Sequence, residues 1–82
     1  MKITTINQLE KIFIDAIEDD FSAVFVEVTI PNQDYTEFIV NKSESLENKL
    51  EYYKKTYTQN LVHSKCDSIK IVSAGVTDYK FW

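Results

Sequence analysis

Ser22-Ala23-Val24-Phe25-Val26-Glu27-Val28-Thr29-Ile30 reads as a β-strand. Val24, Val26, Val28 and Ile30 lie on one side of an extended chain, and Ala23, Phe25, Glu27 and Thr29 on the other. Four β-branched residues at a period of two predict one face buried against a core. Pro31-Asn32-Gln33-Asp34 is turn chemistry, and residues 35–41 form a second strand, so a hairpin is expected. Pairing Val28 with Phe38 and Val26 with Val40 keeps the apolar residues together. It sets Glu27 beside Ile39 and Phe25 beside Asn41 on the other face. A slip of one residue would oppose Val28 to Glu37, so the first register is expected. The second face then carries Phe25, Tyr35 and Ile39 among polar residues. It stays open if helices cover only the first, which makes those three a candidate contact surface.

Outward from the hairpin, residues 5–19 predict a helix. Ile6, Leu9, Phe13, Ala16 and Ile17 share one face, widened by Ile12, and Thr5 with Gln8 forms a capping box. Glu18, Asp19 and Asp20 sit at the negative end of that helix, where the dipole disfavours them by a few tenths of a kcal/mol each. Ser43 caps a second helix running to about Asn60, with Leu46, Leu50, Tyr53, Tyr57 and Leu61 as its apolar stripe, and with Glu51 placed four residues ahead of Lys55. Residues 61–67 read either as a last turn with a loop or as a short strand. Residues 68–74 alternate around Ile69 and Ile71 as a third strand, and Gly75 is a place where the backbone turns freely. Residues 76–82 either continue as a bulged extension or return as a fourth, edge strand, with Phe81 and Trp82 either packing onto the core, the favoured reading, or forming a contact patch. The order α-β-β-α-β(-β) gives an α+β two-layer sandwich, with helices on one face of a small antiparallel or mixed sheet.

The 82 residues suffice for one domain with a small core. Self-association would enlarge that core, which leaves a homodimer open. One Gly and one Pro leave no linker. The polar-interrupted start Ile3-Thr4-Thr5-Ile6-Asn7 predicts no signal peptide. The longest apolar run, Val24-Phe25-Val26, is far too short to span a membrane. Cys66 has no second cysteine to pair with, as suits a reducing cytoplasm.

Reactive side chains are scarce: there is no arginine, one histidine and one cysteine. His63, Cys66 and Asp67 offer at most an incomplete metal or nucleophile set, because structural zinc takes four ligands and catalytic zinc three. Glu18-Asp19-Asp20 and Glu27 are acids close in sequence, with nothing around them that suggests a substrate pocket. There is no glycine-rich phosphate loop. No enzymatic activity, cofactor or metal is expected. Lys42, Lys49, Lys54 and Lys55 accompany Tyr52, Tyr53 and Tyr57 on the second helix, a mixture that can hold single strands. Glu44, Glu47 and Glu51 share that helix, Tyr53 and Tyr57 fall on its buried stripe, and arginine for base contacts is missing. Direct nucleic-acid binding is therefore disfavoured.

The net charge of −4 is uneven. Residues 1–41 hold eight acids against two lysines, a local −6, and residues 42–82 hold seven lysines against five acids, a local +2. Asp15, Glu18, Asp19, Asp20, Glu27, Asp34 and Glu37 form a candidate acidic face for a protein with a basic surface. The plainer role of such a surface is solubility.

Thr36-Glu37-Phe38-Ile39-Val40-Asn41 and Leu46-Glu47-Asn48-Lys49-Leu50-Glu51-Tyr52-Tyr53-Lys54-Lys55-Thr56-Tyr57 resemble small uncharacterised proteins of phages and prophages of low-GC Gram-positive bacteria. Those also look like a short helix, a hairpin and a Lys/Tyr-rich helix, and they have no assigned activity. In size, acidity and element order the chain is also similar to small acidic type II-A anti-CRISPR inhibitors, though not in aligned residues. These resemblances imply a phage-derived, non-enzymatic accessory or inhibitory module that binds a host protein in the bacterial cytoplasm. The alternative they imply is a nucleic-acid mimic that blocks a host nucleic-acid-processing enzyme.

Overall fold

The computed structural model describes residues 2–19 and 23–77. The elements are α1 (Ile6–Glu18), β1 (Ala23–Thr29), β2 (Thr36–Lys42), α2 (Leu46–Thr56), β3 (Val62–His63) and β4 (Cys66–Thr77). They build an α+β fold of two helices on a four-stranded antiparallel sheet of order β2-β1-β4-β3. β1 lies inside the sheet, which is why Val24, Val26 and Val28 are all buried against the helices.

Helix α1 starts as its sequence predicts. The Thr5 hydroxyl accepts the Gln8 N–H at 3.4 Å, and Gln8 Oε1 accepts the Thr5 N–H at 3.1 Å. Leu9, Ile12, Phe13 and Ala16 are buried, while Ile17 at the margin of the stripe stays 37% exposed. The Phe13 ring meets Tyr53 of α2 at 5.7 Å between centroids, which joins the two helices over the sheet.

Four expectations are corrected. The hairpin takes the slipped register, with Val26 opposite Ile39, Phe25 opposite Val40 and Val28 opposite Glu37. Ile39 and Asn41 therefore face the helices, and Phe38 and Val40 face away. The physical reason is Asn41, 1% exposed, whose amide Nδ2 donates to the Val24 carbonyl at 3.2 Å and whose Oδ1 accepts from the Tyr53 hydroxyl at 3.4 Å. A buried amide with two partners is tolerated where an unpaired one would not be. The connecting loop fits this register: Gln33 N–H returns to the Ile30 carbonyl at 3.2 Å, with Asn32 at φ 64°, as a turn with Pro31 in the preceding position favours.

The second correction is the end of α2, which stops at Thr56 instead of near Asn60. Tyr57 turns extended and bridges to His63, Ser64 N–H donates to the Thr56 carbonyl at 2.9 Å, and Leu61 at φ 65° reverses the chain. Leu61 is fully buried, so tertiary packing holds a backbone conformation that its side chain resists. The start of α2 is the third: a single 3-10 turn, Ser43–Ser45, precedes it, and Ser43 makes no side-chain cap.

Gly75 is the fourth, because the chain does not turn there. It runs straight through Gly75 opposite Phe25, and residues 76 and 77 continue β4. A Cβ at position 75 would sit 2.8 Å from Phe25 Cε1, so the glycine makes room for a ring. The segment 61–67 supplies the short β3. The readings for residues 78–82, including Phe81 and Trp82, and for Asp20 lie outside the described residues. The β1–β4 pairing also shifts register between Glu27 and Val28 of β1, and the Thr29 hydroxyl spans the gap, donating to the Ser68 carbonyl and accepting the Lys70 N–H, both at 2.9 Å.

Two outcomes follow. Asn41→Leu leaves the Tyr53 hydroxyl and the Val24 carbonyl without this partner and costs about 1–3 kcal/mol in urea denaturation. Gly75→Ala costs about 1 kcal/mol in the wild type through overlap with Phe25. It is neutral or stabilising in a Phe25→Ala background, an interaction that a double-mutant cycle reads directly.

Candidate functional site

The sheet face turned away from the helices carries Phe25, Glu27, Phe38, Val40, Ser73 and Gly75, as the strand pairings dictate. Phe25 lies on Gly75 and packs at a tilt against Phe38, with centroids 5.9 Å apart at 56°. Phe38 remains 54% exposed, so the face is an aromatic patch and not a core. Of the three residues expected here, Phe25 is in place. Tyr35 stands in the loop before β2, 63% exposed. Ile39 is corrected to the helix side, where it packs against the core. Phe38 and Val40 take its place, a consequence of the register.

Glu27 lies beside this aromatic pair. Its carboxylate accepts the Thr36 hydroxyl from β2 and the Ser73 hydroxyl from β4, the latter at 2.7 Å. These two donors hold its pKa below the ordinary value of 4.5, against the opposing effect of burial. The carboxylate ties three strands together across the open face.

The acidic residues do not gather on one surface. Asp15 pairs with Lys11 on α1 at 3.1 Å, and Glu18 and Asp19 are exposed at the end of that helix. Glu27 is on the opposite side of the sheet. Asp34 is in the hairpin loop, a seven-residue strand away from the end of α1, or roughly 20 Å. Glu37 faces the helix side, opposite Val28. Asp20 lies outside the described residues.

His63 and Cys66 face one another across the β3–β4 turn. His63 Nδ1 accepts the Lys65 N–H at 3.0 Å, which places the ring proton of the neutral imidazole on Nε2. Its ring meets Tyr57 edge-on at 5.3 Å. Among the described residues no three His, Cys, Asp or Glu side chains are placed to hold a metal ion. Tyr53 on α2 and Tyr57 just beyond it are buried, and Lys54 pairs with Glu10 at 2.6 Å, which leaves Lys49 over Tyr52 as the exposed Lys/Tyr element. Burial, then the neighbouring Tyr52 and Tyr53, pushes the Tyr57 phenol up to about 12. No described helix is long and apolar enough to cross a membrane.

No family model matches this chain, and no curated protein or solved structure does either.

The open face was half legible in sequence. A lone glycine in an alternating strand marks a close approach by a neighbour, here Phe25, whereas Phe38 reaches this face only through the register. Glu27→Gln lowers stability at pH 7 by up to about 1 kcal/mol, since the amide cannot accept both hydroxyls with equal strength. The lowered carboxylate contributes stability above its ordinary pKa and loses it as pH falls through the folded value. The difference between wild type and variant therefore closes below about pH 4.5, as urea midpoints across a pH series would read.

Proposed function

We propose that this chain acts by contact, as a protein-binding accessory or inhibitory module, and that the open sheet face is its contact surface. The observation that carries this reading is the Phe25–Phe38 pair, seated on Gly75 and half in solvent, ringed by Glu27, Thr36 and Lys42. An exposed aromatic centre with a polar rim is the anatomy of a binding hot spot. The stacking on Gly75 holds Phe25 in place before any partner arrives, which lowers the entropy cost of binding.

A nucleic-acid mimic needs carboxylates arrayed on one surface. Here they are divided between the two sides of the sheet and its two ends, so the contact reading is preferred. The resemblance of residues 36–41 and 46–57 to phage and prophage proteins supports a phage origin. With the lone Cys66, it also supports action in the cytoplasm of a bacterial host.

Immobilised wild-type chain is expected to capture one partner from a Gram-positive host lysate. Phe38→Ser, which removes an exposed ring, should weaken capture at least about tenfold, equivalent to 1.4 kcal/mol, with unchanged circular dichroism. Lysine at Glu18 and Asp19 should leave capture largely intact. Equal capture by wild type and Phe38→Ser would remove the open face as the contact.

A further inference from the structure

On the other side of the sheet, at the hairpin end, α2 and the strands enclose an open groove of ≈ 260 Å³. Ile39 and Ile69 supply apolar wall, Tyr52, Tyr57 and His63 supply rings, and Glu37 supplies the one carboxylate. No lysine lines it. Glu37 is exposed, and its carboxylate has no ion pair or hydrogen bond among the described residues. That contrasts with Glu10, Asp15 and Glu27, each of which is matched by a lysine or by hydroxyl donors.

We infer that this groove receives the side chain of a lysine from a partner protein. The chemistry of the lining selects it. An aliphatic stem fits along Ile39 and Ile69, and an ammonium head is attracted both by an unpaired carboxylate and by the faces of aromatic rings. The imidazole Nδ1 is already taken up by the Lys65 N–H at 3.0 Å. The Tyr57 phenol, pushed up to about 12, is uncharged at neutral pH, and Glu37 is the only carboxylate in the lining among the described residues. Tyr52 already holds an ammonium, Lys49 Nζ, 5.4 Å from its ring centroid, from outside the lining. The net charge of −4 draws a basic partner toward the chain.

The site is separate from the open face, so its failure leaves that reading standing, and the reverse holds. It came about through the hairpin register: in the alternative pairing Glu37 and Ile39 would both point away from α2.

The test is an NMR titration of the full chain at low ionic strength with Nα-acetyl-lysine N-methylamide. Nα-acetyl-norleucine N-methylamide, which keeps the aliphatic stem and lacks the amine, is run in parallel. The lysine probe should shift the amides of Glu37, Ile39, His63 and Ile69 saturably, with a Kd on the order of 1–10 mM for so small and open a site. The norleucine probe should bind at least about fivefold more weakly. Glu37→Gln should weaken the lysine probe at least about threefold and leave norleucine unchanged, whereas Glu47→Gln on α2 should change neither. Tyr52→Leu, at a ring 49% exposed, keeps the fold and should also weaken the lysine probe alone. Equal binding of the two probes would make this a plain apolar groove and overturn the assignment. So would an unchanged affinity in Glu37→Gln, or shifts that spread over the scattered acids without saturating.

Discussion

Asn41 is polar and lies between the sheet and α2, out of reach of water. Such a group is tolerated only with partners, and it finds them in the Val24 carbonyl and the Tyr53 hydroxyl. Those bonds fix which residues of β2 face the helices. Because side chains alternate, one amide sets the side of every residue from Thr36 to Lys42. Ile39 goes to the core and Glu37 to the groove. Phe38 and Val40 go to the open face, and the aromatic pair with Phe25 follows.

The two faces then become chemically different. The helix side is built from aliphatic residues and tyrosines, with Phe13, Tyr53 and Tyr57 in ring contact through Tyr53. The open side is held by a carboxylate that receives a hydroxyl from each neighbouring strand, and by a ring that needs a glycine beneath it. Glu27 is thus spent on structure, and Asp15 is taken up by Lys11. The charge imbalance along the chain does not become a charged face, because a strand carries its residues to alternate sides and a hairpin carries them to opposite ends.

Helix α1 was legible because its signals are local: a capping box within four residues and a stripe at helical spacing. The central strand was legible because three valines alternate with no competing pattern. The end of α2 was not. Tyr57 and Leu61 fit the helical stripe, yet both are buried through a tight reversal in which Leu61 takes a left-handed backbone. Gly75 was read by its freedom to bend, while its role comes from the ring lying across it. At Gly75 the deciding partner, Phe25, is remote in sequence.

The residues alone determined the element types, the two-layer architecture and the poverty of reactive groups, since these depend on periodicity and composition. Tertiary structure decided the register, the placement of Ile39 against Phe38, the dispersal of the acids and the groove around Glu37. The physical reason is that a strand has two equivalent-looking faces until something outside it, here a tyrosine hydroxyl on a helix, gives one of its polar side chains a place to be buried.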